Sequence, residues 1–370
     1  MKVNIIGGGI VGSLSAFLLC KLGHEVYIFD PDSPGSHASG FAFGEMSALE
    51  GSGIPDPLLD FTLSSFNAHK WLIPDIENIS GIATNYQVNN KLNLAFTSEE
   101  EEKLKKELLW QKDVEGFEVS WLTTKDLLKV EPLLNPECLG GVFVENTSSV
   151  EPYKLSLAIA TAAENLGAKI VNREVTGLIF EGNDCAGVVT GNVKHYSDVS
   201  LLTMGPWSKF ASDWIGINVP VIPLKGQILR LEAEGINIQS SVFHASNYVS
   251  SKPDGLIWAG TTEEEVGFDE TSTTDARNQI MMNLLNMVPS LEDSKLVHHT
   301  ACLRPLCIDS MPIVDKVKGH GNLFISTGAG RKGILWSAAM SIGIVDMMTG
   351  AKTEIKGLEN LSLNRFKNTN

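Results

Sequence analysis

The chain has 370 residues, of which 43% are hydrophobic, and a net charge of −15. That length holds about two domains of ordinary size, and the composition excludes a disordered, collagenous or coiled-coil protein. The acidic balance argues against nucleic-acid partners and anionic membrane surfaces, because both rely on Lys and Arg meeting phosphates; it reads as a solubility feature.

KVNII, residues 2–6, reads as a short buried strand. A helix is expected from Gly12 to Leu22, with Leu14, Phe17, Leu18 and Leu22 at helical spacing and Gly23 as its stop. A second strand, Glu25 to Phe29, ends at Asp30, so the opening is a βαβ unit with parallel strands. Residues 31–56 read as a loop rich in Gly, Ser and Pro. An apolar-periodic helix is expected over Leu58 to Leu72, strands over 82–96, and a charged helix capped at Thr97-Ser98. Thr124 is expected to cap a short helix through Val130. Glu151-Pro152 opens a helix that ends at Gly167. Strands follow at 169–172, 174–180, 185–190 and 199–204, the last running into Gly205-Pro206-Trp207. Segments 219–232 and 242–262 read as strands with turns, and 273–287 as a helix. The last unit is a strand at Leu323–Ser326, a glycine turn at 327–333 and a helix to Met348 stopped by Gly350, with a frayed polar tail after 360.

Strand–helix signals thus lie at both ends and in the middle, separated by β-rich stretches. The expected class is α/β with an α+β second domain: a Rossmann-like nucleotide-binding domain carrying an inserted antiparallel β-rich second domain. The nucleotide-binding pieces are 1–80, 146–215 and 300–365, and the pieces of the second domain are 81–145 and 216–299.

Five cysteines, odd in number and without a CxxC pair, read as reduced thiols of a cytoplasmic protein. The chain shows no signal-peptide pattern. The apolar run Ile334 to Met348 is too short to cross a bilayer and contains Asp346. His298-His299 has no matching ligand cluster, so no metal is expected.

Gly7-Gly8-Gly9-Ile10-Val11-Gly12 is a GxGxxG between a strand and a helix, followed by Asp30 at the end of the next strand. That context marks a dinucleotide site. Gly7 permits the tight turn, Gly9 admits the pyrophosphate, and Gly12 brings helix and sheet together. The helix amino end attracts phosphate, and Asp30 suits a ribose 2′-OH. The motif alone leaves NAD and FAD both open. The loop ASGFAFGEM (38–46) and the second glycine turn TGAGRKGILWSAAM favour a flavin, whose N1–C2=O edge suits a helix amino end.

Together with VEPYKLSLAIATAAENLGAKI, TMGPWS, PLKGQILRL and ACLRPLCIDSMPIVD, these segments resemble the D-amino-acid oxidase superfamily of flavoproteins, in its glycine oxidase and sarcosine oxidase branch. The resemblance runs through nearly the whole chain. It implies pyrophosphate contacts at Ile10 and Val11, the adenosine ribose at Asp30, and flavin and phosphate contacts at Ala38, Ser39, Phe43, Gly44 and Glu45. It places Val175, Gly205 and Trp207 along the cofactor, and Ala329, Gly330, Arg331, Lys332, Gly333, Ile334 and Leu335 at the ring edge. It also implies that Arg304 grips a substrate carboxylate, for which a guanidinium fork is well suited, and that Tyr248 covers the substrate. Their alternatives are a structural salt bridge and a core tyrosine. Cys302 falls near the position where monomeric sarcosine oxidases attach their flavin, but a buried inert thiol and non-covalent FAD are expected.

The sarcosine oxidases carry a lysine over the ring that promotes reaction with oxygen. This chain has no lysine between Lys252 and Lys295, which brings it closer to the glycine oxidases. The expected reaction is hydride transfer from substrate Cα–H of a small amine or amino acid (glycine, sarcosine or D-amino acid type), giving an imine that hydrolyses. Oxygen and a quinone both remain open as acceptors, as does homo-oligomer formation. So do three alternatives: a dehydrogenase, the flavin subunit of a larger oxidase, and an inert flavin-binding protein. Pocket size is expected to depend on 45–60 and 242–262.

Overall fold

The strand Lys2–Ile6 is buried along almost its whole length, as a central parallel strand must be. It pairs in parallel with Glu25–Phe29 on one side and Val199–Leu202 on the other. In the computed structural model, which describes residues 1–49 and 56–366, these three strands form the middle of a six-stranded sheet. Lys169–Val171 extends it beyond Glu25–Phe29, and Leu323–Thr327 beyond Val199–Leu202, both in parallel. The antiparallel strand Ile313–Lys316 closes that edge. Helices Ile10–Lys21, Pro152–Asn165 and Gly333–Thr349 supply much of the apolar core on one face, together with the long helix Leu59–Ser80. A small antiparallel sheet, Gly177–Glu181, Asp184–Thr190 and Val193–Tyr196, contributes to a core on the other.

The second layer is a nine-stranded sheet. Its long axis is the pair Val221–Glu232 and Lys295–Cys307, antiparallel and bulged between Arg230 and Leu231. Next come Ile257–Gly260, Asn247–Ser251 and Ser241–His244. A parallel pairing then joins Gln87–Ala95, followed by Gly140–Ser149, which also holds Glu45–Met46 and Val119–Thr123. The helix Thr274–Met287 covers one face through Ile280, Leu284 and Met287. The fold is α/β, a Rossmann-like layer beside a mostly antiparallel one. The expected domain limits at 146 and 300 fall inside the strands Gly140–Ser149 and Lys295–Cys307.

Several elements differ from expectation for identifiable reasons. The first helix begins at Ile10, not Gly12, which puts its amino end in the glycine turn. The long helix runs past Pro74 to Ser80 and stops at left-handed Gly81. A proline there costs about 3 kcal/mol. Burial of Ile73 and Ile76 offsets it, at roughly 1.5–3 kcal/mol each. Thr123, not Thr124, caps the helix Thr124–Val130, accepting from the Asp126 amide. Thr97 caps Ser98–Gln111 in a reciprocal box with Glu100.

The segment after 360 is not frayed as far as Phe366. Leu361 and Leu363 are buried. Arg365 donates to both Asp309 carboxylate oxygens, at 2.7 and 3.2 Å, and to the Met311 carbonyl at 2.7 Å. Arg365→Ala is expected to lower unfolding stability by about 1–3 kcal/mol, since it strips charge-assisted bonds from a half-buried carboxylate. Equilibrium denaturation measures this, and a variant as stable as the parent would show that the clamp contributes nothing.

Candidate functional site

The glycine turn is shaped by how closely its neighbours approach. Gly7 adopts φ +107°, and a Cβ there would lie 2.8 Å from the Thr203 carbonyl carbon. A Cβ on Gly12 would collide with the Gly7 carbonyl oxygen and lie 2.6 Å from Thr203 Oγ1. Thr203 in turn donates to the carbonyls of Ile6 and Gly7, at 3.0 and 2.9 Å. Gly12 therefore serves helix–sheet approach and lies off the cavity wall. Gly9 faces open space apart from Ser39 Oγ, which accepts from the Ile10 amide at 3.0 Å. The first turn of Ile10–Lys21 carries no acidic side chain, leaving its positive end for a ligand anion.

Asp30 does two jobs. Its carboxylate accepts from the Gly8 amide at 2.6 Å and from the Asp32 amide at 2.9 Å, which braces the turn. Burial pushes its carboxyl up. Each oxygen has a second lone pair, so it can still accept from a ribose hydroxyl.

From here a cavity of about 720 Å³ runs between the two layers. It is lined by Gly7, Gly9, Ile10, Val11 and Asp30, then by Ala38, Ser39, Phe43, Gly44 and Glu45. Val175, Gly205 and Trp207 line it further along, as do Ala329, Gly330, Arg331, Lys332, Gly333 and Ile334. Tyr248, Arg304 and Cys302 lie on the same wall system. Of the expected residues only Gly12 and Leu335 stay off the lining. The dimensions suit an extended dinucleotide, and the glycine cradle and two helix amino ends suit its anionic parts.

Sequence reasoning missed several lining groups. His37, Phe210 and Trp214 join Trp207 at one end. His37 meets the Trp207 ring edge-on at 4.9 Å and pairs with Asp32 at 3.0 Å and Glu270 at 3.3 Å. Lys91, Asn93 and Phe243 come from the large sheet at the other end. Alternation along Gln87–Ala95, with Leu92 and Leu94 in the opposite core, was the available signal for Lys91 and Asn93.

Two glycines make room for the proposed substrate contacts. A Cβ on Gly226 would overlap the Arg304 guanidinium, and one on Gly260 would lie 2.6 Å from the Tyr248 ring and hydroxyl. Arg304 donates to the Thr262 carbonyl at 3.2 Å and to Thr261 Oγ1 at 2.7 Å. Both partners are neutral, and Arg304 enters no salt bridge among the described residues. Tyr248 stacks on Phe43 with centroids 3.9 Å apart. Burial pushes its hydroxyl up to about 12, so it stays a donor. Burial also pushes the Cys302 thiol up, which keeps it protonated and unreactive. Lys252 Nζ lies buried 4.1 Å over Phe43, and desolvation lowers it to about 8.

At the second glycine turn, Arg331 pairs with Glu263. The helix behind it is held by a stripe that sequence reasoning passed over. Thr62, Ser65 and His69, all buried, sit on one face of Leu59–Ser80. They bond to Trp336, Leu335 and Ile334. Among the described residues no group of His, Cys, Asp and Glu could hold a metal, and no helix is long and apolar enough to cross a membrane. Residues 50–55, within the expected 45–60 wall, lie outside the described residues.

A family profile described as FAD dependent oxidoreductase matches residues 2–347. The glycine oxidase of Bacillus subtilis (strain 168) is 24% identical over 344 residues, covering 93% of this chain and 92% of that protein. The D-amino acid dehydrogenase of Rhizobium rhizogenes (strain K84) is 24% identical over 422 residues, covering 99% of this chain and 100% of its own. The crystal structure of glycine oxidase from Geobacillus kaustophilus superposes with a TM-score of 0.93 at 26% identity, covering 98% of each chain.

The buried stripe makes a measurable claim about pH. Desolvation lowers His69 from 6.5 to about 4 in the folded chain. As pH falls below 6.5 the unfolded chain takes up this proton first, so stability is complete above pH 6.5 and declines toward pH 4. Thermal melts of His69→Gln should lose part of that acid sensitivity, and an identical pH profile in both proteins would contradict the assignment.

Proposed function

We propose that this chain, which belongs to the FAD dependent oxidoreductase family, oxidises the carbon–nitrogen bond of a small amino acid, with Arg304 as the carboxylate anchor. The observation that carries this reading is Arg304 itself. Its guanidinium lies across the bare backbone of Gly226 at the cavity wall, steadied by two neutral oxygens. A cation held without a carboxylate partner, beside a space of ligand size, suits an incoming carboxylate. The relatives named glycine oxidase and D-amino acid dehydrogenase support an amino-acid substrate.

Bound FAD supplies a two-electron acceptor. The protein's share is placement. Arg304 fixes the carboxylate end, and the Tyr248 hydroxyl is a second donor close to it. The Phe43 ring, stacked on Tyr248, keeps water from one side. Tyr248 and Cys302 both remain protonated at neutral pH, so neither serves as a base. With the substrate amine bound neutral no side-chain base is required, and the resulting imine is released to water. Held in this way, the Cα–H reacts from a fixed geometry, where orientation accounts for much of the rate.

The final acceptor separates two versions of the reading. An oxidase returns electrons to oxygen, whereas a dehydrogenase, as the Rhizobium relative is named, passes them to a quinone or a partner protein.

Anaerobic mixing with glycine, sarcosine and D-alanine should bleach the flavin with at least one of them. Oxygen uptake with that amino acid identifies an oxidase, and bleaching without uptake a dehydrogenase. Arg304→Ala should raise the apparent KM for the carboxylated substrate at least about tenfold, or roughly 1.4 kcal/mol. An unchanged KM removes Arg304 from the site, and failure of all small amino acids to bleach the flavin removes the proposed activity.

A further inference from the structure

We infer that Ser65 and His69 are positioning residues: they set the first turn of the helix Gly333–Thr349 and so aim its amino end at the ring edge of the bound flavin. The inference rests on the reading that seats that edge against residues 329–334.

In an α-helix each carbonyl accepts from the amide four residues on. Leu335 and Ala339 are such a pair. Ser65 Oγ donates to the Leu335 carbonyl at 2.6 Å and accepts from the Ala339 amide at 2.9 Å. One foreign hydroxyl thus serves both ends of a helical rung. His69 Nε2 lies 3.0 Å from the Ile334 carbonyl and 3.1 Å from the Leu335 carbonyl. Carbonyls only accept, so this nitrogen carries the proton and His69 is held in one neutral tautomer. Ile334 takes a further bond from Ser337 Oγ at 2.8 Å.

The first-turn carbonyls are therefore addressed by side chains of a neighbouring helix. A side chain that bonds to both the carbonyl and the amide of one rung competes with the rung's own hydrogen bond and so sets its local geometry. The residues that lead into this rung, Gly330 to Ile334, line the cavity, whereas Ser65 and His69 do not. Both are essentially fully buried. A face that only had to pack would bury apolar groups there, because buried polar groups gain little even when paired. What the stripe adds is direction: it fixes which way the free amides and the positive end of the helix point.

The test uses the FAD-loaded protein with Ser65→Ala and Ser65→Thr. Alanine removes the hydroxyl that shares the Leu335–Ala339 rung, so the amino end should turn and the flavin midpoint potential should shift to more negative values. Threonine keeps the hydroxyl and should restore the parent potential. Amide hydrogen exchange of the FAD-free protein across 333–339 is measured alongside, and Ser65→Ala should alter protection at Ala339. Altered exchange with an unmoved potential would put the ring edge elsewhere and overturn the inference through its premise. Unaltered exchange would overturn the role of Ser65 directly, whatever the amino-acid screen shows. Should Ser65→Ala fail to fold, His69→Asn, which cannot reach both carbonyls, is read in the same way.

Discussion

No methyl group fits where the first helix leaves the sheet. Gly7, Gly12 and Thr203 converge so closely that any Cβ on either glycine meets backbone. This contact ties the start of the chain to its middle, because Thr203 follows the strand Val199–Leu202 and bonds back to Ile6 and Gly7. Asp30 braces the same turn from the other side through the Gly8 amide. The proposed dinucleotide seat is thus defined by the absence of side chains at two positions and the presence of two polar ones. The amino end of the helix is left facing the cavity.

The large sheet applies the same device at the other end. Gly226 and Gly260 give up their side chains so that Arg304 and Tyr248 can lie flat over the backbone. Glu45 ties strands of this sheet together. From the short strand Glu45–Met46 it accepts from Ser241 at 2.8 Å, and from Asn89 and Thr147 at 3.3 Å each. Its neighbours Phe43 and Gly44 lie on the cavity wall. This side of the cavity wall is therefore braced by a side-chain network that links three strands of the sheet to Glu45.

Much of this was legible in the sequence, for reasons that differ by residue. The GxGxxG turn and Asp30 are local features whose meaning lies in a strand–turn–helix context, so a few residues suffice to read them. Ala38 to Glu45, Arg304 and Tyr248 have no local signature; only the order of segments along the chain, compared with a family, points to them. Lys91, Asn93, Phe243 and Phe210 escaped because their roles depend on which face of a sheet or turn meets the cavity. Thr62, Ser65 and His69 escaped differently. Polar residues at helical spacing inside an apolar stripe look like interruptions, and their partners, the Ile334 and Leu335 carbonyls and the Trp336 indole N–H, lie about 270 residues away in sequence. The strand Gly140–Ser149 lacks clean alternation because both of its faces are largely covered, and that, too, is decided by the rest of the fold.

The order of strands in the six-stranded sheet bears on how the molecule is made. A ribosome delivers Lys2–Ile6 and Glu25–Phe29 early, yet the neighbour of Lys2–Ile6 on its other side is Val199–Leu202, and that strand's own neighbour is Leu323–Thr327. Such distant pairings are slow to close. The growing chain therefore carries an open, apolar strand edge until Val199–Leu202 is made, and that strand's own edge stays open until Leu323–Thr327 follows. Closure of the cavity, whose wall includes residues 326–334, is left by this topology to a late step of folding.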